Sequence, residues 1–247
     1  MPQRLKRLLE RSRWLLLLLP LSYLHWLPRD YVDRVVYDLF HTNTYVATKK
    51  QLDERLKEWP KIKGRQLPAP YLKDTYLNEP SFGSIKKNTS YYILSKKDVY
   101  RKIVGSVRVR DLMPRDEYYQ GTFLFSSDSL YWGIDKRILH RLLDLQNLLE
   151  EKGYDRNAFW VRHGHRHPRY NEEVGGAGKS RHLYGDAIDL VIKDINQDGK
   201  YTKEDKDIVL DLCEKYIIKN QGGIGRYPWS RTVHIDLRGR RARWDSY

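Results

Sequence analysis

The chain has 247 residues and carries 46 Lys and Arg against 32 Asp and Glu, a formal charge of +14. That length permits one or two domains with a sizeable core, and 19 Tyr with 7 Trp exclude a disordered or low-complexity chain. The basic balance attracts polyanions, but no helix-turn-helix, zinc-finger or RNA-recognition signature accompanies it, so nucleic acid is not an expected partner. The single cysteine, Cys213, excludes an internal disulfide and a Cys-rich metal site.

At the N-terminus Arg4, Lys6, Arg7, Arg11 and Arg13 precede an apolar run from Trp14 to Leu27, broken only by Pro20, Ser22 and His25. A positive flank before a short apolar core is the layout of an export signal. The run falls short of the ~20 residues of a full membrane span, and no small-residue cleavage site follows it. Residues 1–30 therefore read as a cleaved signal or an uncleaved signal-anchor, with an amphipathic or core helix as the alternative. On either export reading the rest of the chain lies in the cell envelope, with the membrane as a partner through this segment.

Residues 31–120 read as an accessory region without a nameable motif. Leu52, Leu56 and Trp59 lie at helical spacing within a charged helix over 46–59, which Pro60 stops. Tyr91–Leu94 and Ile103–Val109 look like strands, the second alternating Val107 and Val109 with Arg108 and Arg110. From 121 onward the pattern is clearer. Ile134, Ile138, Leu142, Leu145 and Leu149 share one helical face, and Gly153 follows as a C-terminal cap. Strands are expected at Phe159–Arg162, Ala187–Ile192 and Thr232–Leu237, with a helix over Lys203–Lys219 and a loop at Gly222, Gly223 and Gly225. Interspersed strands and helices without regular βαβ alternation imply an α+β fold.

Asp189 sits in an almost wholly apolar strand, where an ionised carboxylate is costly unless it is paired or bound to a metal. His182 lies seven residues earlier in a polar loop. On the last strand Thr232, His234 and Asp236 share the face opposite Val233, Ile235 and Leu237. Two histidines and a carboxylate with an open fourth position form the pattern of a catalytic zinc site. By spacing alone, a salt bridge for Asp189 and hydrogen-bonded core histidines remain open alternatives.

The wording around these residues is more specific. Ser180-Arg181-His182-Leu183-Tyr184-Gly185-Asp186-Ala187-Ile188-Asp189 resembles the S-x-H-x-x-G-x-A-x-D motif of the zinc D-alanyl-D-alanine carboxypeptidase family, whose fold is shared with the hedgehog signalling domain. Val233-His234-Ile235-Asp236 with Arg238-Gly239 is similar to its second metal motif, and Gly164, Arg166, Pro168, Tyr170, Asn171 and Val174–Ala177 to its arginine loop. The resemblance covers about 121–247. It implies a zinc peptidase domain with a small mixed or antiparallel sheet and flanking helices, Zn2+ held by His182, Asp189 and His234, and Arg166 stabilising the oxyanion. Ser180 would contact substrate or cap the loop presenting His182. The implied substrates are D-amino-acid-containing bonds of peptidoglycan stem peptides in a bacterial periplasm or envelope, cut by carboxypeptidase or endopeptidase action.

The sequence departs from the family at the general base. Many members carry Glu or Asp three residues before the last metal histidine, or His two before it; here Arg231 and Thr232 stand there. Asp236, on the face of His234, is the expected substitute, or else it orients a ligand. Of the alternating His163, His165 and His167, His165 falls where the family places an aromatic, which implies a packing role. Asp194, Asn196, Asp198 and Gly199, with Asp205 at the twelfth place, fit a Ca2+ loop; the alternative is an Asx-rich turn opening the next helix. The missing base leaves a rival function, a non-catalytic zinc- and calcium-containing envelope-binding module.

Overall fold

The computed structural model describes residues 29–116 and 129–245. The chain divides into two compact units, Met1–Thr44 and Tyr45–Tyr247. In the first, α1 (Arg29–Phe40) ends where His41 stacks on Tyr37 with ring centroids 4.3 Å apart. The apolar run Trp14–Leu27 lies outside the described residues. Among those described, no helix is long and apolar enough to cross a membrane.

The second unit opens with α2 (Lys49–Lys57), set by a capping box in which Thr48 and Gln51 exchange side-chain bonds with each other's backbone. Leu52, Leu56 and Trp59 are buried, as their spacing predicts. Short helices α3 (Ala69–Asp74) and α4 (Gly83–Asn88) separate β1 (Lys61–Lys63) from β2 (Ser90–Leu94). β1 and β2 form an antiparallel sheet with β5 (Leu130–Trp132), in the order β1-β2-β5. The strand expected over Ile103–Val109 is instead a hairpin, β3 (Lys102–Val104) and β4 (Val107–Arg108), followed by a 3-10 turn over Val109–Leu112. Gly105, at φ +55°, reverses the chain there.

A second, five-stranded sheet carries the candidate site. Its order is β10 (Ala242–Trp244), β8 (Gly223–Gly225), β9 (Thr232–Asp236), β7 (Ala187–Ile192), β6 (Phe159–His163). Only β10 and β8 run parallel, so the sheet is mixed within an α+β fold. β7 lies between β9 and β6 and is buried at all six positions, which explains its nearly unbroken apolar sequence. Helix α5 (Lys136–Glu151) buries Ile138, Leu142, Leu145 and Leu149, and Gly153 follows at φ +78°. After α6 (Pro168–Glu173), α7 (Lys203–Leu212) packs on β7 and β9 and continues as a π turn over Cys213–Ile217.

Of the glycine loop expected at Gly222, Gly223 and Gly225, the last two lie in strand β8. A Cβ at Gly223 would come within 2.4 Å of an Asp236 carboxylate oxygen, and one at Gly225 within 2.9 Å of the Trp244 ring. These glycines are a strand stripped of side chains so that Asp236 and Trp244 can lie against it.

Candidate metal centre

Strand register assembles the site. Asp189 on β7 pairs across the ladder with His234 on β9 and with His163 on β6, so the three side chains project from one face. His182 arrives from the 3-10 turn Arg181–Tyr184, which ends at Gly185 in the left-handed region, φ +69°. A Cβ on Gly185 would strike the carbonyl oxygen of Gly133, so the turn can close against β5 only with glycine.

The hydrogen bonds settle which ring atoms face inward. His182 Nδ1 lies 2.7 Å from the carbonyl oxygen of Gly164. A carbonyl only accepts, so Nδ1 carries the proton and Nε2 presents its lone pair. His234 Nε2 lies 3.1 Å from Asp236 Oδ2, which leaves Nδ1 as the inward atom. His182 Nε2 is then 3.2 Å from His234 Nδ1 and 3.2 Å from Asp189 Oδ2, and His234 Nδ1 is 2.8 Å from Asp189 Oδ1. Donors at about 2.0–2.1 Å from a tetrahedral zinc are about 3.3 Å from one another. The observed spacings approach that value, and the donor set fits the ion. Among the described residues, His182, Asp189 and His234 are the one group of three or more acidic, His or Cys ligands converging in this way.

The electrostatics agree. Burial opposes ionisation of Asp189, but the surrounding imidazoles of His182, His163 and His234 favour its carboxylate and hold it well below the usual range. Burial pushes His182 down to about 4, keeping its imidazole neutral as a ligand must be. Burial also acts to lower His234, yet Asp189 and Asp236 outweigh it and raise the group. A cation between these donors would take the place of that proton.

Around this core, Arg166 is 7 % exposed and donates from Nη2 to Asp189 Oδ2 at 2.8 Å. Ser180 stands at the N-cap of the turn and lines the cleft, and its side chain makes no capping hydrogen bond. Asp236 does not line the cleft. It is fully buried on the far side of the His234 ring, where Arg238 and the Gly223 amide take its remaining acceptor capacity. Of the two roles its place on the strand allows, this is the position of a carboxylate that orients a ligand. Burial works against its ionisation, but His234 and Arg238 hold its carboxyl far below the usual range. Trp244 covers His234, with ring centroids 5.2 Å apart. Lys206, 6 % exposed, pins the loop before β9 by donating to the carbonyls of Tyr227 and Ser230 at 2.7 and 2.8 Å.

Of the three alternating histidines, one stands differently from its sequence reading. His163 was not expected at the site, yet its Nδ1 lies 3.0 Å from Asp189 Oδ2. The only signal for it was its place at the end of a strand beside β7. His165 does fill a packing slot, edge-on to Tyr91 at 5.6 Å, and burial pushes it down to about 3.

The 194–205 loop does not gather its carboxylates into a cation cluster. Asp205 Oδ1 accepts from the amides of Ile195 and Asn196, and Oδ2 from the amide of Thr202 in a capping box. Asp194 accepts from the Asp198 and Gly199 amides, and Asp198 from the Lys200 amide. The loop is the Asx-rich turn opening α7, and the calcium expectation finds no support.

The cleft beside the metal donors holds about 680 Å³, within the range of ligand sites. Arg162, Arg166, Lys179, Arg181 and Arg238 contribute to its wall, and its only carboxylate among the described residues is Asp189. An α+β fold whose His-Asp-His donor set opens onto a basic cleft is an arrangement able to hold a metal ion beside a ligand site. Residues 122–236 match the family model for Peptidase M15, a match consistent with the zinc D-Ala-D-Ala carboxypeptidase family. No curated protein and no solved structure matches the chain.

Proposed function

We propose that the protein is a zinc peptidase that hydrolyses peptide bonds next to D-amino acids in the stem peptides of peptidoglycan, acting in the cell envelope. One observation carries the reading: His182 Nε2, His234 Nδ1 and the Asp189 carboxylate converge beside a basic cleft in a Peptidase M15 domain. Stem peptides bear free carboxylates, which a wall of Arg and Lys with no uncommitted acid would attract.

Zinc, when bound, lowers the pKa of a water and polarises the scissile carbonyl. The chain's own residues do the rest. The Gly164 carbonyl and Asp236 fix the two imidazoles in the tautomers that present lone pairs inward. Arg166, anchored on Asp189 at the cleft wall, offers a fixed positive charge for the developing oxyanion. Ser180, with its hydroxyl uncommitted to a cap, faces the substrate.

One observation favours a second reading. With Asp236 sequestered behind His234, the described cleft holds no carboxylate other than Asp189, which suits a zinc-bearing module that binds envelope peptides without cutting them. Digestion of purified muropeptides decides between the two. Metal-replete protein should release D-amino acids or split cross-links, detected by mass, with activity lost to a chelator and restored by zinc. Zinc-loaded protein that binds muropeptides and leaves them intact would establish the binding module. Protein that retains no zinc would overturn both.

A further inference from the structure

The β6–β7 ladder contains an irregularity at the metal site. Phe159, Trp160 and Val161 pair with Ile192, Val191 and Leu190 in regular antiparallel register. Continued regularly, Arg162 would face Asp189. Instead the register shifts by one residue and His163 stands opposite Asp189. A one-residue bulge re-aims a side chain that regular pairing would send to the other face. Here it exchanges a long cation for an imidazole.

That imidazole has a definite partner. His163 is half-buried at the cleft wall, and its Nδ1 lies 3.0 Å from Asp189 Oδ2, to which only a protonated nitrogen can bond. Arg166 Nη2 donates to the same oxygen at 2.8 Å. The other oxygen, Oδ1, faces His234 Nδ1 at 2.8 Å. The two oxygens therefore differ: Oδ2 is gripped by two N–H donors from outside the donor set, and Oδ1 is turned to the ligand imidazole. His182 Nε2 is 3.2 Å from Oδ2, so the carboxylate spans the site and its orientation decides what it offers. His163 itself is outside the converging donor group.

We propose that His163 is a positioning residue for the metal centre: its Nδ1–H, with Arg166, holds Oδ2 of Asp189 so that the carboxylate offers a cation a single oxygen. The inference rests on the zinc reading above and adds its coordination. A carboxylate free to swing would bring in its second oxygen and occupy the position that a catalytic site keeps open. Held monodentate, Asp189 leaves that position to water or substrate, and its fixed orientation raises affinity as second-layer partners of metal ligands do.

The test uses the geometry of the donor. Asn places an amide nitrogen where His has Nδ1; Gln places it where His has Nε2. Zinc affinity of the full chain, measured by competition with a chromophoric chelator, should fall about 10-fold in His163→Ala and His163→Gln and recover in His163→Asn. Cobalt-substituted wild type and His163→Asn should show the intense visible bands of four-coordinate Co2+, weakened in His163→Ala as a second oxygen enters. Thermal unfolding checks that each variant is folded; should the alanine variant fail to fold, the Asn and Gln pair decides. Equal zinc affinity in wild type and both His163→Ala and His163→Gln, or loss in His163→Asn equal to that in His163→Gln, overturns this inference and leaves the zinc site standing. Wild type that binds no zinc overturns the site and the inference together.

Discussion

Asp189 and Asp205 are both buried carboxylates, at 5 % and 1 % exposure, and they are satisfied in opposite ways. Asp205 receives its hydrogen bonds from the amides of Ile195, Asn196 and Thr202 and from the Thr202 hydroxyl, all within ten residues. Asp189 is surrounded by side chains that fold back from 163, 166, 182 and 234. A carboxylate consumed by local amides closes a turn, whereas one flanked by imidazole lone pairs keeps capacity for a cation. The number of acids in a motif says less about metal binding than where their partners come from.

Removing Asp189 should have the largest effect. Asp189→Ala would abolish zinc retention and, by stranding Arg166 beside two imidazoles, destabilise the fold by about 3–5 kcal/mol, read by elemental analysis and denaturant unfolding. A stable, zinc-bound Asp189→Ala protein would erase the contrast with Asp205. Next comes Asp236→Ala. Loss of the group that orients His234 should weaken zinc about 10–100-fold, while cleavage returns once zinc is saturating. If the saturated variant holds zinc and cannot cut, Asp236 is the base after all. Asp205→Ala should cost about 1–2 kcal/mol through the lost cap, and calcium should leave the melting temperature of the wild type unchanged. A calcium-dependent rise lost in Asp205→Ala would make the two carboxylates alike.

The smallest effect is in pH dependence. Burial pushes His165 down to about 3, while an unfolded chain takes up that proton near its ordinary 6.5. Between those values the unfolded state binds more protons, so stability falls as pH is lowered through the window. His182, at about 4 in the folded protein, adds to the same slope in the metal-free chain. His165→Phe should flatten it, seen as a smaller loss of melting temperature between neutral and mildly acidic buffer. An unchanged slope would mean that His165 is not buried as a neutral ring.

Much of the site was legible because its chemistry is written in local contrasts. A charged residue inside Ala187–Ile192 and a histidine inside Thr232–Asp236 each break an apolar strand, and the neighbouring wording resembles a known zinc family. Helix α5 and its glycine cap were legible for the same reason, a periodic apolar face with a clear stop. The glycines at 223 and 225 misled, because a strand without side chains has no hydrophobic period; their reason lies in Asp236 and Trp244, far along the chain. The hairpin at Gly105 was hidden behind the flanking valines, whose alternation suggested one continuous strand.

What the sequence alone determined is the His182, Asp189 and His234 constellation, the α+β class and the overall basic charge. These depend on residue type and short-range pattern, which need no knowledge of neighbours across the fold. Only the tertiary structure decided the roles of Asp236, Asp205 and His163. Each is a polar side chain whose meaning depends on which partner is within 3 Å of it. Strand register, a bulge and a capping turn choose those partners: Asp236 behind His234, Asp205 on its own loop amides, and His163 against the metal carboxylate.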